Sequence, residues 1–203
     1  ALKNFNAMEN PQRTREYLDI SGNELQRLSL LVDKVLKLSM FEKKEIDLRY
    51  ETLNLRELVQ EVSASLKLQL EKQHARLHIV QEGDVTLPAD RLHLLSVIFN
   101  LVDNALKYGG EQPEIKITLT GNEKEVEMHI SDNGIGIPAE YKEKIFEKFF
   151  RVPQGDTHNA RGYGLGLSYA AQVIKKHQGT IRVESEEGKG AHFIIVLPKS
   201  IKV

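Results

Sequence analysis

Four polar residues fall at helical spacing in an otherwise apolar stretch: Asn100, Asn104, Lys107 and Tyr108. Positions i, i+4, i+7 and i+8 share one face of an α-helix. An asparagine carbonyl oxygen is a suitable ligand for Mg²⁺, and a lysine ammonium is a point charge for phosphate. The alternative is a solvated stripe on an amphipathic helix. Asparagine argues against that alternative, because it is a poor helix former and longer charged residues usually occupy plain surface positions.

A second candidate segment starts with Asp132, which directly follows a predicted strand, and it contains Gly134 and Gly136. An asparagine-glycine pair is common in turns, so a simple tight turn is one interpretation. The other is an adenine site, because a carboxylate can accept a hydrogen bond from the exocyclic amine. The glycines would let the backbone approach a ligand closely. Ile135 and Ile137 would supply an apolar wall for the ring.

A third segment has glycines at alternate positions and leads into a predicted helix. Its residues are Gly162, Tyr163, Gly164, Leu165, Gly166 and Leu167. Backbone N–H groups at a glycine-rich helix N-terminus form a phosphate site. The spacing is similar to the dinucleotide fingerprint, but that motif follows a strand, whereas residues 151–161 are polar and turn-rich. No glycine-lysine-serine/threonine P-loop follows a strand either, so a different scaffold must hold any nucleotide.

The elements that must position these residues alternate between two periodicities. Asn54 can cap a helix that runs to residue 72, and further helices are predicted over residues 89–108 and 165–177. Strands are predicted over residues 76–81, 85–87, 114–120, 125–131, 180–184 and 192–197. Helices mixed with mostly antiparallel strands imply an α/β (α+β) two-layer sandwich, in which helices back a mixed, mostly antiparallel sheet.

The N-terminal part has a pattern of its own. Between residues 12 and 41 the apolar residues recur in steps of three and four, as in a coiled coil. Residues 1–9 resemble the end of another helix that runs in the opposite direction. We therefore expect residues 1–45 to be part of an antiparallel helical hairpin, and residues 46–203 to form a second domain. The alternative is a single amphipathic helix that lies on the second domain.

The composition excludes several classes of function. The formal net charge is −1, so the chain has no overall positive field to attract nucleic acid or anionic lipid. No apolar run of about 18 residues occurs, so we expect no membrane contact by this chain. The absence of cysteine excludes disulfides, thiolate metal sites and a cysteine nucleophile.

Four segments in order resemble the N, G1, F and G2 boxes of the sensor histidine kinase catalytic domain. They are residues 100–108 (NLVDNALKY), 132–136 (DNGIG), 146–151 (FEKFFR) and 162–167 (GYGLGL). Residues 188–198 also resemble the closing hairpin of that domain. The resemblance implies a Bergerat-type (GHKL) fold that binds ATP, with a lid over residues 151–161. It also implies that residues 1–45 are a truncated dimerisation hairpin.

The resemblance assigns a role to each matching residue. Asn104 would bind Mg²⁺, Asn100 would make a second polar contact near the phosphates, and Lys107 would contact phosphate. These three would form the catalytic set. Tyr108 would border the nucleotide, and Asp132 would accept from the adenine amine. The further nucleotide contacts would be Gly134, Ile135, Gly136, Ile137, Phe149, Arg151, Arg161, Gly162, Tyr163, Gly164, Leu165, Gly166 and Leu167.

Two features depart from the family pattern. None of the seven histidines has the acidic residue and proline of the phospho-acceptor motif. In addition, Ala191 stands where many relatives have serine or threonine. We therefore expect a kinase region that transfers the γ-phosphoryl group of ATP to a histidine outside these residues, for onward transfer to a response-regulator aspartate. The resemblance also implies that the parent protein forms a homodimer through the hairpin, and that this chain is a cytoplasmic part of a parent in the bacterial cell membrane.

Two other functions remain open at this point. Related ATPases of the gyrase, Hsp90 and mismatch-repair type carry a glutamate at the position of Asn100, and a carboxylate there can activate water. An amide has no basic site, so Asn100 favours a kinase. A nucleotide-binding signalling scaffold without catalysis is the second alternative, and the intact boxes argue against it.

Overall fold

A computed structural model describes residues 46–153 and 164–200, together with Thr14, Tyr17 and Ser21. The chain divides into two units, Ala1–Ile46 and Asp47–Val203. Thr14, Tyr17 and Ser21 have helical backbone. The rest of the predicted hairpin over residues 1–45 lies outside the described residues, so the hairpin stays a prediction. In the described part of the chain, no helix combines the length and the apolar character needed to cross a membrane.

The described residues of the second unit form seven strands. They are β1 (Glu51–Asn54), β2 (Arg76–Glu82), β3 (Thr86–Ala89), β4 (Glu114–Gly121), β5 (Glu125–Asp132), β6 (Thr180–Ser185) and β7 (Ala191–Pro198). Strands β1 and β3 form a small antiparallel sheet, and the other five form a sheet in the order β2-β4-β5-β7-β6. Strand β2 pairs with β4 in parallel, whereas the remaining pairs are antiparallel. The prediction of a mixed, mostly antiparallel sheet is confirmed.

Helices cover one face of the five-stranded sheet. They are α1 (Leu55–Ser65), α2 (Lys67–Lys72), α3 (Arg91–Tyr108) and α4 (Gly166–Lys176), with short 3₁₀ turns at Ala139–Tyr141 and Lys144–Phe146. Alternate residues of the central strands are buried: Ile115, Ile117, Leu119, Val126, Met128 and Ile130. Helix α3 contacts β4 and β5, and it also packs against α1 and α4. Period-2 burial on the strands beneath apolar helix faces forms the two-layer core.

Two local expectations need correction. The predicted helix over residues 54–72 is interrupted at Leu66, which has φ −94° and ψ 2° and separates α1 from α2. This break leaves Leu66 fully buried, while no residue of α2 is buried. Strand β1 was not predicted, because its four residues become a strand only by pairing with β3. The predicted cap at Asn54 is confirmed, since its Oδ1 accepts from the Arg56 N–H at 2.9 Å.

Two buried polar residues join α3 to the end of α4. His177 Nε2 accepts from the Asp90 N–H at 2.9 Å, and Nδ1 lies 2.8 Å from the Val173 carbonyl oxygen, which can only accept. Neutral imidazole satisfies both partners, whereas a second ring proton would face the Asp90 N–H. Burial lowers the pKa of His177. The Asp90 carboxylate in turn caps α3 by accepting from the His93 N–H at 2.9 Å.

We expect the free energy of unfolding to fall as the pH decreases through about 6.5, the ordinary histidine pKa. The folded-state pKa of His177 lies below that value, so the unfolded chain takes up the proton first. His177→Gln removes this titration. Urea denaturation at pH 7.5, 6.5 and 5.5 should therefore show a smaller loss for the variant than for the wild type. His192, whose pKa burial also lowers, titrates in both proteins and causes a loss of stability that they share. If the variant lost as much stability as the wild type, the shared titration would explain the whole effect and the assignment to His177 would be wrong.

Candidate nucleotide-binding site

The polar face predicted in the N box (residues 100–108) lies in the C-terminal half of α3. Asn100, Asn104 and Tyr108 are half-buried, while Lys107 is exposed and forms an ion pair with Asp103 one turn earlier. An exposed pair of this kind contributes little to stability. The Lys107 ammonium can therefore be redirected to a ligand phosphate at low cost.

The Asp132 side chain stands at the end of β5 and is fixed by two backbone donors. Its Oδ1 accepts from the Gly134 N–H at 2.9 Å and from the Ala191 N–H at 3.2 Å. Among the described residues none donates to Oδ2, which leaves this oxygen available to a ligand amine. Burial raises the pKa of Asp132, and the two backbone hydrogen bonds oppose that rise.

The G1 box (residues 132–136) is joined directly to the end of the N box. The Ile135 N–H donates to the Tyr108 carbonyl oxygen at 3.0 Å. A Cβ atom on Gly134 would lie 2.3 Å from the same oxygen, so only glycine permits this approach. The last turn of α3 and the loop after β5 therefore form one wall.

The opposite side of the G1 box rests on the turn between β6 and β7. The Gly188 N–H donates to the Ile135 carbonyl oxygen at 2.7 Å, and the Ile137 N–H donates to Ser185 Oγ at 2.8 Å. Gly136 has φ +70°, and a Cβ atom there would lie 2.0 Å from the Glu186 carbonyl oxygen. These contacts fix the backbone, whereas the Ile135 side chain remains 46% exposed and can form an apolar surface.

The described part of the G2 box (residues 162–167) meets both the N box and the F box (residues 146–151). A Cβ atom on Gly166 would lie 3.2 Å from Asn100 Oδ1, so the amide packs against the start of α4. Leu165, the N-cap residue of this helix, makes no side-chain hydrogen bond to the helix N-terminus. Its first N–H groups can therefore face an anion. The Gly164 carbonyl oxygen accepts from the Phe149 N–H at 3.0 Å, which ties the F box to the same place.

Comparison with known proteins identifies the family. Residues 89–201 match the family described as "Histidine kinase-, DNA gyrase B-, and HSP90-like ATPase", and the match spans more than half of the chain. The chain belongs to this family.

Several relatives and solved structures resemble this member of the family. Sensor protein RprX of Bacteroides fragilis is 38% identical over 202 residues, which cover 97% of this chain and 38% of RprX. The catalytic domain of histidine kinase ThkA has a TM-score of 0.67 at 33% identity, covering 75% of this chain and 99% of that domain. ThkA in complex with response regulator protein TrrA has a TM-score of 0.67 at 32% identity, covering 94% of this chain and 53% of that chain. The chain thus spans well under two thirds of the length of RprX.

The predicted resemblance and the predicted Bergerat-type fold are confirmed, and the chain carries an ATP-binding domain of the histidine kinase type. The structure brings the N, G1, F and G2 boxes of this domain together through the contacts described above. Leu165 is buried, Leu167 is half-buried, and Phe149 and Arg151 are exposed. Arg161, Gly162 and Tyr163, with most of the predicted lid, lie outside the described residues.

Sequence reasoning missed two groups of this ATP-binding domain. The Ala191 N–H donates to Asp132, a backbone contact that the replacement of serine or threonine by alanine at this position does not indicate. Ser185, which accepts from the G1 box, was not singled out. A serine at the end of a strand gives no signal of such a contact, because its partner Ile137 lies 48 residues away in the chain.

We expect Asp132→Asn to raise the free energy of unfolding of the nucleotide-free domain at pH 7. Because burial raises the pKa of Asp132, its contribution to stability is full below the unfolded pKa, near 3.8, and is lost as the pH rises through the folded pKa. Asparagine keeps an acceptor oxygen for the two N–H groups and carries no charge. Denaturation at pH 4 and pH 7 should show a variant advantage that grows with pH.

Asp84→Asn is the matched control, and its expected effect on the free energy of unfolding has the opposite sign. Hydrogen bonds from Thr86 and Lys199 lower the pKa of Asp84, so this exposed carboxylate favours the folded state above its unfolded pKa. Its replacement should therefore reduce stability at pH 7. If Asp132→Asn behaved like Asp84→Asn, the buried-carboxylate interpretation would be wrong.

Proposed function

We propose that this chain is the catalytic region of a sensor histidine kinase, which binds ATP with Mg²⁺ and transfers the γ-phosphoryl group to a histidine outside these residues. The observation that best supports the proposal is the contact of the Asn100 amide with Gly166. It joins the polar face of α3 to the start of α4, where backbone N–H groups can hold phosphate. Family membership and the likeness to RprX and ThkA support the same reaction.

Adenine would be selected by Asp132. Its Oδ1 is already engaged by two backbone N–H groups, so Oδ2 would accept from the exocyclic amine of the base. The exposed side chain of Ile135, together with Ile137 and Tyr108, would border the ring. Gly134 and Gly136 keep that wall close to α3 and to the β6–β7 turn, as their close backbone contacts show.

The phosphates would lie between α3 and the start of α4. Among the described residues there is no group of three or more histidine, aspartate or glutamate side chains that could hold a metal ion. A half-buried asparagine oxygen on Asn104 nevertheless suits Mg²⁺, which commonly takes one or two protein ligands together with substrate phosphates and water. Bound there, the ion would neutralise phosphate charge during transfer. Lys107 would release Asp103 and contact phosphate.

The chain itself would contribute positioning and electrostatic stabilisation rather than a base. The neutral imidazole of the acceptor would attack the γ-phosphorus in line. A nitrogen–phosphorus bond forms, the bond to the bridging oxygen breaks, and ADP leaves. Neutral imidazole is nucleophilic near pH 7, so no proton acceptor is needed at Asn100.

The remaining partners would be those of the longer parent protein. The ThkA structure contains the response regulator TrrA, and it supports a cognate response regulator as the recipient of the phosphoryl group here. We propose dimerisation of the parent through the helical hairpin and a place for the parent in the bacterial cell membrane. The low charge of this chain provides no basis for nucleic-acid binding.

A transfer assay tests the proposed reaction. The 203-residue chain is mixed with Mg²⁺, γ-labelled ATP and the dimerisation hairpin of the parent that bears the acceptor histidine. We expect acid-labile, alkali-stable label on that hairpin and none on the chain alone. Tight ATP binding without label would instead indicate a scaffold. Steady release of inorganic phosphate without the hairpin would indicate an ATPase.

The role of Asn104 is tested by the dependence of ATP affinity on Mg²⁺. Asn104→Ala should remove most of the gain in affinity that Mg²⁺ gives the wild type, while affinity in EDTA stays the same. Asn104→Asp retains an oxygen ligand and should keep the gain. Titration calorimetry with and without the ion measures both. An alanine variant with an undiminished Mg²⁺ effect would place the ion elsewhere.

A further inference from the structure

Ser185 occupies the last position of β6 and is paired with Ala191, the first residue of β7. Its half-buried hydroxyl makes two hydrogen bonds that do not belong to the sheet. Oγ accepts from the Ile137 N–H at 2.8 Å, and it donates to the Gly190 carbonyl oxygen at 2.6 Å. One hydroxyl thus joins the loop after β5 to the turn before β7.

The acceptor of that second bond belongs to the peptide unit that faces the adenine-reading carboxylate. The carbonyl of Gly190 and the N–H of Ala191 are the two ends of one planar peptide group. That N–H donates to Asp132 Oδ1 at 3.2 Å. Fixing the carbonyl therefore also fixes the direction of the N–H, because rotation of the plane would break both bonds.

These contacts form a continuous series of hydrogen bonds. It runs from the Ile137 N–H to the Ser185 hydroxyl, through the 190–191 peptide to Asp132 Oδ1, which also accepts from the Gly134 N–H at 2.9 Å. The series begins at Ile137 and ends at Asp132, so both of its ends lie in the segment from Asp132 to Ile137. Ser185 is therefore the side chain that closes a ring around this segment.

We propose that Ser185 is a positioning residue for nucleotide selection, whose hydroxyl orients the 190–191 peptide so that Asp132 directs Oδ2 at the amine of the purine. This inference rests on the proposed function and adds a residue to it. Ser185 does not touch the nucleotide. It acts through Asp132 alone, so it should govern recognition of the amine and leave phosphate binding unaffected.

The common direction of these hydrogen bonds supports the proposed role of Ser185. Each donor points toward the carboxylate, and aligned hydrogen bonds polarise one another. The Ala191 N–H is therefore a better donor to a negative oxygen than an isolated amide. Burial raises the pKa of Asp132, and this donor opposes the rise. The hydroxyl thus helps to keep the carboxylate ionised and its second oxygen ready to accept.

The competing explanation is a purely structural hydroxyl at the end of a strand. In that case loss of the hydroxyl would loosen the turn and weaken the binding of every nucleotide to the same extent. The two explanations differ in one measurable quantity, which is the ratio of affinities for ATP and for purine riboside triphosphate. The latter nucleotide has the same phosphates and ring but lacks the exocyclic amine.

Titration calorimetry of the full chain with both nucleotides and Mg²⁺ tests the proposal. We expect Ser185→Ala to weaken ATP binding roughly 3- to 10-fold, the range that corresponds to one hydrogen bond. Binding of purine riboside triphosphate should remain unchanged. Ser185→Thr keeps the hydroxyl and should restore the wild-type ratio. Ser63→Ala is the matched control, since it removes one side-chain hydrogen bond (to the Val59 carbonyl oxygen at 2.6 Å) in α1 and should leave both affinities unchanged.

The outcomes separate this inference from the function on which it rests. If Asp132→Asn abolishes the preference for ATP but Ser185→Ala retains it, the inference is wrong and adenine reading by Asp132 stands. An equal loss for both nucleotides in Ser185→Ala also overturns it. A wild type without any preference for ATP refutes both. If Ser185→Ala does not fold, Ser185→Cys, with a weaker donor of similar size, is measured in its place, and the same ratio decides.

Discussion

The hydrogen bond from the Ile135 N–H to the Tyr108 carbonyl oxygen joins the end of α3 to the loop after β5, and the candidate site depends on it. The bond requires the two backbones to approach more closely than any side chain on Gly134 would allow. Because α3 also carries the polar face of the N box, this one contact relates the proposed phosphate-binding surface to the proposed adenine-binding surface. In the proposed site the position of the base would thereby be set relative to the position of the triphosphate, as in-line transfer requires.

Two buried ionisable groups, His177 and Asp132, differ in how completely the protein satisfies their hydrogen bonds. His177 uses both ring nitrogens on backbone partners, so the neutral side chain is fully satisfied within the protein. Asp132 is also held by backbone groups, but both of them reach the same oxygen. One carboxylate oxygen is left for a partner that the described residues do not supply. Burial shifts both pKa values toward the neutral form, yet only Asp132 has an incomplete set of hydrogen bonds.

The elements with long, regular patterns could be predicted from the sequence. Helix α3 and its polar face follow from the 3.6-residue period, and Asp132 could be placed at the end of β5 because the alternating strand stops there. Features that depend on distant partners could not. Strand β1 exists only through β3, and the break at Leu66 follows from tertiary burial rather than from a local signal. For the same reason, nothing near Ser185 reveals its contact with Ile137.

The incomplete hydrogen bonding of Asp132 has a consequence for selectivity. In the free domain the buried charge lowers stability, since burial favours the protonated form. In the proposed site an adenine amine would donate to the unused oxygen and offset this cost, so part of the binding free energy would come from pairing a buried charge. A base with a carbonyl at the same position would face the carboxylate with a second acceptor and leave the charge unpaired. A site that accepts a hydrogen bond from a ligand discriminates strongly against an analogue that lacks the donor. An apolar pocket discriminates much less against an analogue that lacks one methylene group. The stability that we expect the buried carboxylate to cost the empty site and the preference for adenine that we propose would therefore have the same physical origin.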